Sequence, residues 1–398
     1  MVQRIANDAR IRTEIRQPGT IEWASAQMPV LRAIRTRFAK ERPLTGAKVA
    51  ILFHLTKEVA NLALAIREAG AEVLLTPSKM ATIELAALEG LQTSGIRILT
   101  GSTDSGNGHL QQVLSFAPDV AVDNADLFSL WHGSDSPPEI KGMSIHSRSA
   151  CLIVDDYWAR HKSLRFPVVE IGSSNIKLEL ESTLGTGQSV IDALIRVTGL
   201  QLSGKRIAIV GYGNVGSGIA HAARGLKARV LIVQNSAYRA LKATMDGYDV
   251  VPLHYAAQQA DILITATGNK HVLTSRHFPL LRDGVFIGNV GRSHEEIDVA
   301  ALERDTTSAE IVNYNLTAYV LNSRRIYLMG GGHQFNHIAG GANSSELMDL
   351  SLALHALTLE RIWKVPTFTR EIHPVEEAIL DEVARLKLQQ LGIEYGSE

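Results

Sequence analysis

Lys205–Gln234 reads KRIAIVGYGNVGSGIAHAARGLKARVLIVQ, and this stretch decides the fold. An apolar β-type run, Ile207–Val210, enters Gly211-Tyr212-Gly213-Asn214-Val215-Gly216. An alanine-rich helical stretch follows, then a second β run, Val230–Val233, closing on the polar Gln234. A dinucleotide-binding βαβ unit requires this order. The first glycine makes the tight turn and the second lets backbone approach the pyrophosphate. The third packs helix against strand, with the phosphates at the helix N-terminus. A glycine triplet alone is weak evidence. Strand, triplet, helix and second strand in register point to a nicotinamide dinucleotide site, against the plainer reading of a glycine-rich turn in an ordinary α/β domain.

Outside this unit, 398 residues are long for a single core, so two domains are expected. A formal net charge of −1 argues against nucleic acid or an acidic membrane recruited by bulk charge. The N-terminal residues are polar and mixed in charge, and no run of about 18 apolar residues occurs. A cytoplasmic protein is expected. Cys151 is the single cysteine, which excludes intrachain disulfides and cysteine-based zinc sites. It reads as a small buried hydrophobe before a nucleophile. No spacing of ligands calls for a metal.

Taken in order, residues 21–40 carry apolar side chains at helical spacing and predict one long amphipathic helix. A β run after Gly46, a helix over 56–69 and strands over 72–75, 96–99, 119–122 and 166–171 predict a first α/β domain with a mostly parallel sheet. Ligands in such sheets sit beyond the carboxyl ends of strands, where His54, Thr56, Asp123 and His146 fall. Gly185-Thr186-Gly187 reads as a flexible join before a helix over 189–198, with the domain crossing near 172–182. Strands over 260–267, 285–290 and 326–329 continue the second domain. Gly330-Gly331-Gly332 and Ala339-Gly340-Gly341 read as packing turns or a hinge. A leucine-patterned helix over 345–363 returns to the first domain, and a charged amphipathic helix over 375–391 serves packing or an oligomer contact.

Five stretches now acquire a common meaning: FHLTKEVANLAL, NIKLELESTLGTGQSVIDALIRVTG, GYGNVGSGIAHAARGLKARV, SRHFPLLRDGVFIGNVGRSHEEIDV and RRIYLMGGGHQFNHIAGG. Together, and in this order, they resemble the S-adenosylhomocysteine hydrolase family over about residues 21–363. The resemblance implies a two-domain α/β fold, each domain with a largely parallel sheet. Residues 1–172 and 344–374 would form a discontinuous substrate domain, 183–343 a Rossmann-type NAD domain, and 375–398 a helical tail. It also implies tightly bound NAD, a homotetramer or homodimer, and an internal redox cycle. In that cycle a 3′-hydroxyl is oxidised, C4′–H becomes acidic, the 5′ group is eliminated, water adds, and the hydride returns.

The same resemblance assigns residues. Lys177 matches the lysine that assists deprotonation of the 3′-hydroxyl; a neutral lysine near pH 7 needs its pKa lowered by about three units, worth about 4 kcal/mol. Glu181 stands where the family has aspartate and would share a helical face with Lys177. Thr56 and Glu58 match ribose and adenine contacts, with a helix-start threonine and acidic first turn as the plainer reading. His54 matches an acid/base histidine near the 5′ position. Asp123 matches the active-site aspartate, with Asn124 as competitor. Met348 falls among the substrate contacts. Cofactor contacts are Gly211, Gly213, Asn214, Val215 and Gly216, then Thr267 and Gly268, Val290 and Gly291, and Asn336 beside the nicotinamide, where His333 and His337 are candidate acids.

The departures cluster. Arg292 and Asn343 each stand where the family has a histidine, and His146 replaces a substrate-binding glutamate. Ser147-Arg148-Ser149 replaces a threonine triplet that touches NAD, and Gly172 and Ser182 each replace an asparagine. The family's lysine- and tyrosine-bearing tail is not matched by IEYGSE. Gln234 replaces the glutamate on the adenosine ribose, and Arg239 beside Asn235 and Ser236 leaves NADP open beside NAD. Three functions stay in view. One is an enzyme on an adenine nucleoside that eliminates a 5′ substituent, a net dehydration if water leaves and is not replaced. The others are an S-adenosylhomocysteine hydrolase proper and a silent NAD(P)/nucleoside-binding regulator. A 2-hydroxy-acid dehydrogenase is a weaker fourth.

Overall fold

The computed structural model describes residues 20–78, 83–91, 94–99, 108–134, 139–339, 343–365 and 368–396. They fall into two compact α/β units, one from residues 20–178 and 345–396, the other from 179–344. The strands are β1 (Lys48–Phe53), β2 (Glu72–Pro77), β3 (Arg97–Ile98), β4 (Val120–Asp123), β5 (Gly142–Ile145) and β6 (Val168–Glu170) in the first. The second holds β7 (Arg206–Val210), β8 (Arg229–Val233), β9 (Asp249–Val250), β10 (Ile262–Thr265), β11 (Val285–Asn289), β12 (Ser308–Asn313), β13 (Leu316–Leu321) and β14 (Arg324–Gln334). The chain then returns to the first unit with β15 (Ile372–Pro374).

The first sheet is parallel throughout, in the order β15-β6-β5-β4-β1-β2-β3. Its alternation follows the two-residue period of a strand. On β1, Val49, Ile51 and Phe53 enter one core and Ala50 and Leu52 the other. The second sheet runs β12-β13-β14-β11-β10-β7-β8-β9. Its six parallel strands in the order β9-β8-β7-β10-β11-β14 have the doubly wound dinucleotide-binding topology, and β12 and β13 add an antiparallel edge.

Three local expectations are corrected. The long first helix is two, Ile21–Ala26 and Pro29–Glu41, because Pro29 supplies no N–H and holds Met28 out of helical geometry (φ −115°, ψ 62°). The second piece starts on a carboxylate: Asp349 accepts from the N–H groups of Val30 (2.9 Å) and Leu31 (2.7 Å). Gly185-Thr186-Gly187 is no loop. A π-helical segment, Ile176–Gly185, runs straight into the helix Thr186–Thr198. The chain passes between the two units within it, at Leu178–Glu179. The helix over 375–391 forms as Glu377–Gln390 and packs Ile379 and Val383 into the first unit's core. Gly330, Gly331 and Gly332 all take positive φ within β14 (+62°, +59°, +85°), while Gly340 and Gly341 and the N-terminal 19 residues lie outside the described residues. No described helix is long and apolar enough to cross a membrane.

Candidate functional site

In the first unit the strand order reverses between β1 and β4, and the carboxyl edge there is where such sheets place ligands. His54 follows β1, Asp123 ends β4, His146 follows β5 and Glu170 ends β6. Asp123 is fully buried. Its Oδ2 accepts from Phe128 N–H at 2.8 Å, while Oδ1 has no protein partner among the described residues. Burial, reinforced by the neighbouring Asp126 charge, pushes its carboxyl up to about 7. A carboxyl that titrates there suits proton transfer at neutral pH. Asn124, its competitor, instead accepts from the Ser147 hydroxyl at 2.6 Å.

Lys177 lies in the π-helical segment and is 6% exposed. Its Nζ is 2.6 Å from His146 Nε2, and His146 Nδ1 is 3.1 Å from His355 Nε2. His355 Nδ1 is in turn 2.7 Å from Ser144 Oγ. Burial first, then the charge of Lys177 and the nearby His355 and His54, holds His146 well below the usual histidine range. Burial and Lys177 bring His355 down to about 3. Both rings are therefore neutral at physiological pH. His54 Nδ1 meets Ser78 Oγ at 3.2 Å.

The remaining first-unit candidates are engaged locally. Thr56 caps the helix Lys57–Glu68, its hydroxyl accepting from Val59 N–H at 3.5 Å. Glu58 is 5% exposed, takes a 2.5 Å hydrogen bond from Ser345 and pairs with Lys57 at 3.3 Å. Met348 packs against the core from the helix Ser345–Lys364. Ser147 caps the helix Arg148–His161 and meets Ser149 at 3.1 Å, while Arg148 donates to Ser173 at 2.8 Å. Gly172 lies so close to Ser147 that a Cβ there would collide with backbone, so the asparagine of the family pattern does not fit this chain. Cys151 is buried and its thiol is pushed up to about 12 by that burial, as befits a core residue.

The second unit reverses strand order between β7 and β10. After β7 the chain turns at Gly211 (φ +106°). The helix Asn214–Gly225 then begins with Gly213 at its N-cap. A Cβ on Gly213 would meet only Arg239 Nη1, at 3.9 Å, so the space above the turn is open. A Cβ on Gly216 would strike the Gly211 carbonyl, and one on Gly218 the Thr183 carbonyl. The helix is thus in backbone contact with the turn before it and with the segment at Thr183, and its N-terminus lies at the glycine turn, the place where such folds receive phosphates. Gln234 follows β8, and its Oε1 accepts from Asn235 N–H (2.8 Å) and Ser236 N–H (3.0 Å). After β10, Thr267 donates both N–H (3.1 Å) and hydroxyl (2.9 Å) to Glu296, which also takes Gly268 N–H. Val290 and Gly291 follow β11, with Gly291 N–H on Asn289 Oδ1 at 2.8 Å; Arg292 beside them is exposed. Asn336 is 1% exposed and donates to Ser189 at 3.2 Å, while its Oδ1 has no protein partner among the described residues. Glu181 accepts from Asn343 at 3.2 Å, Asn343 Oδ1 accepts from Thr186, and Ser182 is half-buried on the same segment. His333 stacks on His294 at 5.6 Å between centroids. Among the described residues no cluster fit for a metal occurs.

This geometry fits a dinucleotide: a glycine cradle a side chain would fill, a polar residue just after the second strand, and an orphaned buried amide oxygen at Asn336. It defines a two-unit protein with a nicotinamide-type cofactor domain and a second, buried acid–base cluster. The comparisons agree. The model of the S-adenosyl-L-homocysteine hydrolase NAD binding domain matches residues 182–341, and that of S-adenosyl-L-homocysteine hydrolase matches 13–98. The adenosylhomocysteinase of Sulfolobus acidocaldarius is 35% identical over 380 residues, 94% of this chain and 91% of its own. That of Aquifex aeolicus is 35% identical over 386, again 94% and 91%. The S-inosyl-L-homocysteine hydrolase of Methanopyrus kandleri is 34% identical over 387, 94% and 90%. The chain belongs to the S-adenosyl-L-homocysteine hydrolase family, and NAD is its cofactor.

Ser144, His355 and Glu296 carry no sequence signal of their roles. Glu296 lies inside a stretch that carries the resemblance. His355 is one histidine in a leucine-rich helix, 211 residues from Ser144, and nothing local marks it.

Proposed function

We propose that this enzyme acts on an adenine nucleoside and eliminates its 5′ substituent, with water as the leaving group, so that the net reaction is a dehydration. One observation carries the oxidation step of this reading: a buried lysine, Lys177, hydrogen-bonded at 2.6 Å to a neutral imidazole instead of a carboxylate. Bound NAD supplies the hydride acceptor for the sugar carbinol and returns the hydride at the end of the cycle. Lys177 takes the proton of the 3′-hydroxyl. Asp123, titrating near neutrality, takes the C4′ proton once the neighbouring carbon is a ketone. His54, at the end of β1, gives a proton to the departing 5′ oxygen, which leaves with the bonding pair. Thr56 and Glu58 orient the ribose and base, and Gly211–Gly216, Gln234, Thr267 and Asn336 hold the dinucleotide. Support for dehydration over hydrolysis comes from Arg292, which stands where the family resemblance implies a histidine of the 5′ chemistry, and from Asn343, which stands at another family histidine. We place the enzyme in the cytoplasm as a homodimer or homotetramer, the assembly its family resemblance implies.

The second reading is hydrolysis of a nucleosidyl homocysteine thioether, favoured by the names of the relatives. Incubation of the NAD-loaded protein with adenosine, other 5′-substituted adenine nucleosides and S-adenosylhomocysteine separates the two. Mass spectrometry should find a product lighter by one water, with transient absorbance of reduced NAD. Homocysteine release would move the assignment to hydrolysis. No reduced NAD and no product with any nucleoside would sink both.

A further inference from the structure

The four-residue chain Lys177, His146, His355 and Ser144 has a polarity that its members impose. Ser144 and His355 are 0% exposed, His146 7% and Lys177 6%, so these desolvated polar groups take their hydrogen bonds within the protein. An ammonium only donates. The protonated Lys177 therefore donates to His146 Nε2, which leaves the His146 proton on Nδ1, and the amine that remains when Lys177 gives up its proton keeps an N–H for the same lone pair. His146 Nδ1–H then donates to His355 Nε2, and His355 Nδ1–H donates to Ser144 Oγ. The two rings are inclined by only 26° with centroids 5.3 Å apart, so their nitrogen edges face. Phe53 closes one side, its ring edge-on to His146 at 4.5 Å. The titratable groups on the elements packed round His146 are Lys177, His355, His54, Asp123 and Glu170.

We propose that Ser144, His355 and His146 are positioning residues: an uncharged, polarised hydrogen-bond chain that fixes the tautomer of His146 and turns its lone pair on Lys177. This rests on the reading of Lys177 as the base. A carboxylate in the place of His146 would hold the lysine as an ammonium by direct charge pairing. A neutral imidazole orients the same amine without that charge, and the second histidine keeps the imidazole from presenting an N–H to it. The logic is that of an orienting partner behind a metal-bound or catalytic histidine.

Nitrogen-15 histidine NMR of the NAD-loaded protein reads the tautomers directly, without substrate. His146 and His355 should both remain neutral with the proton on Nδ1 from pH 5 to pH 9. Either ring titrating near its ordinary value, or carrying its proton on Nε2, would overturn the proposal. The rate of reduced-NAD formation on mixing with adenosine is the second readout. His355→Phe should lower it by about 10–100-fold with KM little changed. His355→Gln, whose amide can accept from His146 and donate to Ser144, should restore it to within about threefold, and Ser144→Ala should fall between. His146→Glu should move the acidic limb of the pH profile upward by about one unit or more. Equal losses in His355→Phe and His355→Gln, with unmoved pH profiles, would assign the chain to packing alone. Absence of reduced NAD in the unaltered protein would instead strike the functional reading, while the NMR result would still stand or fall by itself.

Discussion

Glu296 receives the backbone N–H and the hydroxyl of Thr267, 29 residues earlier, on a single carboxylate oxygen, at 3.1 and 2.9 Å. Its other oxygen takes Gly268 N–H at 2.5 Å. The carboxylate thereby ties the loop after β10 to the segment after β11, on the carboxyl edge of the dinucleotide sheet. Burial alone would favour protonation, and the three donors oppose it. Glu296→Ala leaves three donors short of an acceptor in a buried place. It should cost about 3 kcal/mol in chemical denaturation and weaken NAD retention with it. A variant as stable as the parent would show that water satisfies those donors.

Gly216 and Gly213 separate two uses of glycine in one turn. At Gly216 a methyl group meets the Gly211 carbonyl, so Gly216→Ala should lose about 1–3 kcal/mol of stability together with NAD affinity. At Gly213 nothing lies within 3.9 Å, so Gly213→Ala should keep its stability and lose NAD, because the methyl takes the space of the phosphates. Denaturation curves and NAD content measured on the same preparations test the contrast. Matching behaviour of the two variants would refute it.

His132 gives stability a dependence on pH. Its Nδ1–H donates to Phe128 O at 3.0 Å and its Nε2 accepts from Arg165 N–H at 3.3 Å, a neutral arrangement with no room for a second proton. Burial lowers its pKa to about 4 from the ordinary 6.5. The folded value is the lower one, so the stabilisation is present above about 6.5 and is lost as pH falls through 4. The loss amounts to up to about 3 kcal/mol. His132→Phe should flatten that part of the acid limb in thermal unfolding between pH 7 and pH 4. An unchanged slope would mean that other buried groups account for the acid sensitivity.

The parts of this molecule that were legible in the sequence are those set within a few residues. The β7 run, the glycine turn and the helix after it announced themselves because a strand's apolar period and a turn's steric needs are local. Pro29 was equally local, yet apolar spacing on both sides of it outweighed its missing N–H. The edge strand β12 left no trace. All six of its residues are exposed, so no alternation marks it. The join expected at Gly185–Gly187 is helical because Gly187 and Gly218 meet across two helices, a contact no glycine spacing reveals.

From the sequence came the two-unit α/β class, the dinucleotide cradle, His54 and Asp123 as candidates at strand ends, and Lys177 through the family resemblance. Only the tertiary structure decided that Lys177 faces a neutral His146 backed by His355 and Ser144, and that Asp123 titrates near 7. The reason is physical. Secondary structure answers to interactions over one or two turns of chain. A hydrogen-bond partner and the cost of desolvation are set by residues that sequence distance keeps apart and folding brings together.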